Sequence, residues 1–502
     1  MTKYLSGLIL LMFAFTIAKA QSIVYSIPDE EDTRTNSYEI VGKLNGRFII
    51  YKNSHGTSFF NIYSSDMRVI GKKTLPDIPS EIIATNFITY NDEFLLFFQY
   101  QKKNIHYLKL LKFNQNAEPV GNVIDVDTSL VESNTADLKT FKILVSENKQ
   151  QLMTFKLNKQ DKITYRFNCV LFNKACAIQH TSKGILHTAG KNEFFSEFLL
   201  DNDGNLAALW QTGTQQNDNI SSVTIMVKKS AEDTLSFCPV AFSGIYLDDV
   251  KLKVDNINHH YLVTSFFSKQ KRGNVDGLYF YFCYANTLQN ISTKHVLFSD
   301  DLRNNTKGEH SVKEAFNDFY LKNIVFNQMG GFLILTESES TSSKSNNIYN
   351  RWDNMNNSLY SYNSPYYDPF YSPYYNTRNQ VTRYMADDIV LFSFDEKGNI
   401  IWSNTIVKTQ YDDLNNKSIS YGLVNTGEEL HFMYNLHERS AQLLNQTSLT
   451  TEGKILYNST PMRSLDQGYD FLPRLSKQVG RKQIIVPCLY GNITCFAKIE
   501  FN

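Results

Sequence analysis

The run FITYNDEFLLFFQY, residues 87–100, carries the pattern on which the fold turns. Two strand-like segments flank a polar break at Asn91, Asp92 and Glu93, the mark of a hairpin. In the second segment five consecutive residues, 94–98, are apolar, so neither face of that strand can meet water. A strand buried on both faces lies between two layers.

The same arrangement returns along the chain. LLDNDGNLAALWQT (199–212), VDNINHHYLVTSFF (254–267), IVFNQMGGFLILTE (324–337) and LVNTGEELHFMYN (423–435) are hairpins of this type. A second type, LKFNQNAEPVGNV (111–123), LFSFDEKGNIIWSN (391–404) and SLTTEGKILYNST (448–460), alternates with the first. Four-stranded blades, with one turn between strands 1 and 2 and another between 3 and 4, produce such an alternation.

First strands are expected near Tyr38, Ile82, Leu138, Glu193, Asp248, Asp318, Lys417 and Tyr469. Their spacing, on the order of 45 to 70 residues once an insertion is set aside, suits propeller blades. The reading is an all-β propeller of eight blades, seven being the nearest alternative count. The last unit holds only three strands, while SIVYSI (22–27) stands alone at the start; this strand is expected to complete the last blade and remove a free edge. SVKEAFNDFY (311–320), with Ser311 and Glu314 placed as a capping box, predicts one short helix before the sixth blade.

Composition agrees with one large core. The chain has 502 residues, 42% of them hydrophobic, with 35 Phe and 30 Tyr. Lys plus Arg equals Asp plus Glu at 50 each, with no basic tract to follow a phosphate backbone, so nucleic acid is not expected as a partner.

Residues 1–20, MTKYLSGLILLMFAFTIAKA, have a charged start, a short apolar run and Ala18-Lys19-Ala20 as a small-x-small cleavage site. They read as a signal peptide cut before Gln21, where a lipoprotein would carry Cys. Residues 21–502 then form a single propeller domain with no transmembrane segment, exported to the periplasm, cell surface or exterior. The AQS junction and the abundance of Asn, Lys, Tyr and Phe resemble those of exported proteins of Bacteroidetes-type bacteria. LFSFDEKGNIIWSN resembles the hairpin of quinoprotein-type propeller repeats and, more loosely, the Asp-box of sialidase-like propellers. Against the Asp-box, the Asp395 to Gly398 spacing is one residue too long and Ile401 replaces the expected Thr, so no active site is carried over.

Residues 337–384 interrupt the sixth blade between its second and third strands. They open with ESESTSSKSNN and hold nine tyrosines between Tyr349 and Tyr384, including the repeat Ser-Pro-Tyr-Tyr at 364–367 and 372–375. Without a hydrophobic period the segment has no means to fold alone. Trp352, Tyr366, Tyr367, Phe370, Tyr371, Tyr374 and Tyr375 are candidate binding anchors, since Tyr offers apolar contact and a hydrogen bond at modest entropy cost. Arg378 and Arg383 are able to stack on aromatic faces. A low-complexity loop without function is the competing reading.

Catalytic patterns are few. The acidic pairs Asp248-Asp249, Asp300-Asp301, Asp387-Asp388 and Asp412-Asp413 read as solvated turns or strand starts, because neighbours on a strand point to opposite faces. DNDGN (201–205) has oxygens suited to calcium but sits at a hairpin turn. His259, His260, His431 and His437 lack further ligands at metal spacing. No cofactor fingerprint is present, and no cofactor or metal is expected. In CLYGNITC (488–495) a Gly491-Asn492 turn would set Cys488 opposite Cys495, as a disulfide or as two buried thiols.

The expected function is an exported binding or scaffolding propeller whose partner is an envelope protein or glycan. The alternatives are a carbohydrate-active hydrolase or lyase and a structural repeat protein without a discrete site. Three or more carboxylates, His or Arg gathered at the central channel would favour the enzyme.

Overall fold

A computed structural model describes residues 21–29, 36–130, 140–190, 192–213, 219–306, 308, 310–343, 381–413, 416–438, 441–462 and 468–501. Seven antiparallel sheets follow one another along the chain, blades 1 to 7, at 36–74, 84–130, 141–187, 193–239, 246–297, 319–406 and 421–461. Within each, the four main strands pair in chain order.

The eighth blade joins the two ends of the chain. Ser22–Tyr25 pairs antiparallel with Ile493–Glu500, setting Ile23 opposite Ile499 and Tyr25 opposite Ala497. Ile23 and Tyr25 pack into the core of blade 8, and the Tyr25 ring stacks on Tyr469 at 4.3 Å between centroids. Val24, on the other face, reaches the blade 1 side. First strands of blades 1 and 2, 3 and 4, 4 and 5, 5 and 6, and 7 and 8 lie side by side, and Lys477–Gly480 of blade 8 meets Asn36–Leu44 of blade 1 to close the ring.

The five-residue apolar run now has its explanation. Phe94, Leu96 and Phe98 belong to a core shared with Ile49, Tyr51 and Phe60 of blade 1. Leu95 and Phe97 face the opposite way, into a core with Phe141, Leu152 and Phe172 of blade 3. Alternate side chains therefore serve two inter-blade cores, and each fully buried Phe contributes roughly 1.5 to 3 kcal/mol. Outer strands are half wet, as in Asn290–Leu297, where exposed and half-buried residues alternate.

Three features depart from the sequence reading. The α-helix before blade 6 is Asp300–Thr306, earlier than expected, and Val312–Glu314 forms a single 3-10 turn. Ser311 Oγ bonds the Glu314 carboxylate, at 2.7 Å, and that carboxylate accepts from the Ser311 N–H, but the Ser311 side chain itself caps no backbone N–H. The interruption of blade 6 is also shorter than 337–384: Phe332–Ser343 and Val381–Phe394 stay paired out to Ser343 and Val381. Ser, Thr and Glu hide that ribbon from a hydrophobic scan, although backbone pairing does not require apolar side chains. Finally, the inner strand of blade 8 is split by a 3-10 turn at Pro473–Leu475 between Tyr469–Phe471 and Lys477–Gly480.

Candidate functional site

The inner strands are built irregularly. Register shifts fall between Ile40 and Gly42 in blade 1, Ser196 and Leu199 in blade 4, Asp248 and Lys251 in blade 5, and Leu321 and Asn323 in blade 6. A bulge adds a residue and re-aims its side chain. Glu197 (φ 52°), Asp249 (φ 53°) and Ser420 (φ 69°) adopt the left-handed conformation, uncommon away from glycine. Strained backbone of this kind gathers at functional sites more often than elsewhere.

These irregular positions hold a belt of buried charge. Lys251 Nζ lies 3.1 Å from Asp249 and 3.4 Å from Glu197 of blade 4. Asp249 Oδ2 also accepts from the Leu321 N–H at 2.7 Å, tying blade 5 to the bulge of blade 6. Lys322, in that bulge, is 2.6 Å from Glu339 and 3.6 Å from Glu337. Glu337 is wholly buried; Lys408 Nζ meets it at 2.9 Å and the Ser420 hydroxyl of blade 7 donates to it at 2.6 Å. The Arg474 guanidinium, carried by the 3-10 turn of blade 8, pairs with Glu339 of blade 6 past the intervening blade.

Pairing decides the protonation states. Burial opposes the Lys251 charge, but the Asp249 and Glu197 carboxylates outweigh it and raise its affinity for the proton. Burial would raise the Glu337 carboxyl, yet Lys408, Lys322 and Arg474 hold it below the usual range. At Lys322 burial dominates and pushes the ammonium down to about 7 against the pull of Glu337.

Glu337 and Glu339 belong to the strand Phe332–Ser343, which ends where residues 344–380 begin. Asp387 and Asp388 sit across from them on the returning strand, half-buried in its bulge. Burial raises both, Asp388 to about 6, while the Lys408 N–H bonds Asp388 at 3.1 Å. Beyond them, Gln410–Asp412 adds a third strand to the ribbon. Arg383 binds Asp413 through two nitrogens at 2.7 and 3.1 Å and lies over Tyr411, 4.2 Å from its centroid. Tyr411 in turn stacks on His437 at 4.8 Å.

Two of the four acidic pairs are therefore not solvated turns. Asp248-Asp249 and Asp387-Asp388 fall in bulges, where strict alternation of faces breaks down. Asp300-Asp301 occupies the first turn of the helix, and Asp413 is exposed on the ribbon. The 201–205 segment is a plain turn whose carboxylate is consumed locally: Asp201 accepts from the Asp203 and Asn205 amides, the Asn205 side chain and the Tyr261 hydroxyl. His431 is buried against Phe501, and His259 is exposed near Asp203. Among the described residues no three His, Cys, Asp or Glu side chains are grouped to hold a metal ion.

Cys488 and Cys495 stand directly opposite, buried, with their sulfurs 2.7 Å apart as thiols. Trp352, Tyr366, Tyr367, Phe370, Tyr371, Tyr374 and Tyr375 lie outside the described residues, as do residues 1–20. The belt residues Glu197, Lys251, Lys322, Glu337, Glu339, Lys408 and Arg474 escaped the sequence reading. Their only trace was charge inside otherwise apolar strands, as in EFFSEFLL and YLDDVKLKVD.

No family model matches the chain, and no curated protein is similar to it in sequence. Solved structures resemble it at the level of coarse architecture. Prolyl oligopeptidase B from Galerina marginata is 8% identical over 97% of this chain and 58% of its own, with a TM-score of 0.39. A polysaccharide lyase of family PL25, an ulvan lyase, is 8% identical over 82% of this chain and 90% of its own, at 0.37. A hypothetical selenium-binding protein from Sulfolobus tokodaii is 9% identical over 84% of each chain, at 0.36. The chain spans little more than half the length of the prolyl oligopeptidases it matches. The eight-bladed propeller rests on the strand pairing itself.

Proposed function

We propose that the chain is an exported β-propeller that binds an envelope protein or glycan at blade 6, which carries residues 344–380. One observation supports binding over turnover: the carboxylates of the belt, though more than three, are each engaged by Lys or Arg, and Glu197, Asp249 and Glu337 are buried as well. Glycoside hydrolysis needs a proton donor and a second carboxyl ~5 to 10 Å away with room for substrate. Carboxylates neutralised by their neighbours serve that chemistry poorly, while a charged platform in the blade that carries a Tyr-rich segment suits recognition.

The test compares residues 21–502 with a version in which a short Gly-Ser link replaces 344–380. Both are applied to immobilised glycans and to isolated envelope fractions. Binding by the first and its loss in the second, at unchanged thermal stability, supports the reading. Equal binding by both overturns it.

The enzyme reading retains one favouring observation, the Asp388 carboxyl raised to about 6, where a general acid is useful. Polysaccharide cleavage by the purified protein that is abolished in Asp388→Asn would establish that reading instead.

A further inference from the structure

Blades 4 and 5 meet through a core that contains two cysteines from different blades. Cys238 lies in the outer strand of blade 4, Leu235–Pro239, and Cys283 in the third strand of blade 5, Gly277–Tyr284. Both belong to one inter-blade cluster with Tyr281, which sits two residues before Cys283 and so on the same face of its strand. The Cys238 sulfur is 3.3 Å from the Tyr281 hydroxyl and 3.2 Å from the Leu288 carbonyl, both of blade 5, and the Cys283 thiol is the neighbour that most favours its thiolate. Cys238 is 7% exposed and Cys283 not at all.

From this placement we infer that Cys238 and Cys283 form a disulfide that staples blade 4 to blade 5 when the protein folds in an oxidising compartment. The inference rests on the export reading only for where the bond forms in nature. Its chemistry needs a disulfide donor, such as an oxidised glutathione-type molecule or a dithiol oxidase. The Cys238 thiolate attacks one donor sulfur, and the donor's other sulfur leaves as a thiolate. Cys283 then loses its proton and attacks the Cys238 sulfur of the mixed disulfide, expelling the second donor thiolate. Two protein thiols are oxidised and one donor disulfide is reduced to two thiols. Cys238 is assigned the first attack because it is the less enclosed of the two in the docked blades. Both sulfurs are covered in the folded ring, so the bond closes as the two blades dock.

Such a bond encloses a chain segment of moderate length that includes most of blade 5, and it links sheets that share no backbone ladder. Cross-links of this kind act mainly by restricting the unfolded chain. The role assigned is structural reinforcement of one inter-blade seam, distinct from the binding face.

The experiment places a heterologous export leader in front of residues 21–502, so that the native leader is not at issue. The purified protein is alkylated after denaturation without reductant and mapped by mass spectrometry. A linked peptide pair holding Cys238 and Cys283 is expected. In addition, Cys238→Ser and Cys283→Ser should each lower the thermal midpoint, on the order of 5 °C, in the absence of reductant. In reductant the variants and the parent should differ far less. Free, alkylated thiols at both positions, or Cys238 linked to any other cysteine, would overturn the inference. Loss of glycan or envelope binding with the bond intact would count against the proposed function and leave the staple standing.

Discussion

Glu337 and Lys408 meet at 2.9 Å with no exposed surface on either side chain. Two opposite charges so enclosed stabilise each other only while both are present, because each alone would be an uncompensated charge in a dry interior. Lys408 also donates to the Ala386 carbonyl and to Gln410, which bonds Ser420 and Asn435 of blade 7. The pair thus links blade 6 to blade 7 through a shared polar network.

Lys408→Met is therefore expected to destabilise the protein by roughly 3 kcal/mol, since buried Glu337 loses its nearest counter-charge and keeps Lys322, at 3.6 Å, and the Ser420 hydroxyl. Adding Glu337→Gln should restore a large part of that loss. Urea unfolding of the single and double variants checks it: equal midpoints for both variants would mean the two charges are not coupled.

Stability in mild acid should depend on His431. Burial, with a smaller push from Lys482, lowers its imidazole to about 4. Glu429 at 3.4 Å pulls the other way, but it is 30% exposed and its field is screened. Because the folded value lies below the ordinary 6.5, the unfolded chain binds more protons between pH 6.5 and 4, and stability falls as pH drops through that window. The contribution is about 2 to 3 kcal/mol at full extent. Asp388, raised by burial, works with the opposite sign. The difference between wild type and His431→Gln isolates the histidine: the variant's unfolding midpoint should vary less from pH 6.5 to 4.

Removing the closing strand should weaken the whole ring. Deletion of residues 22–25 uncovers the edge of Ile493–Glu500 and the packing of Ile23, Val24 and Tyr25. A loss of about 2 to 4 kcal/mol is expected from the exposed apolar surface. A guanidinium midpoint identical to that of the full 21–502 chain would show that closure does not depend on this strand.

Cys488 and Cys495 should cross-link under the same oxidising conditions, with smaller consequence than the inter-blade staple. Their strands are already joined by a tight turn and a continuous ladder, so little unfolded-state freedom remains to be removed. Replacing both by Ala should lower the thermal midpoint by less than Cys283→Ser does, when the variants are melted side by side without reductant.

Much of the architecture was legible along the chain. Blade starts expected near Glu193 and Tyr469 coincide with observed strands, and those near Tyr38, Ile82, Asp248 and Asp318 fall within two residues of them. The pairing of Ser22–Tyr25 with the last strand followed from counting strands in the final unit. The candidate site was far less legible. Glu337 opens a Ser- and Glu-rich run that reads as a loop, and Asp249 follows another Asp, a pattern that reads as a solvated strand start.

The sequence by itself determined the ring: doubly apolar second strands need sheets on both sides, and regular hairpin spacing repeats the same blade until the two ends meet. Those signals are local, carried by periodicity and turn chemistry within about ten residues. Only the tertiary structure decided that Glu197, Asp249, Lys251, Lys322, Glu337, Glu339, Lys408 and Arg474 form one belt. Their approach depends on bulges that shift the inner strands of blades 4, 5 and 6 by one residue and on a 3-10 turn that carries Arg474 past blade 7. A charge is stable in a buried place when its counter-charge is near, and in two of these pairs that partner comes from a different blade, 54 residues away for Glu197 and Lys251 and 135 for Glu339 and Arg474.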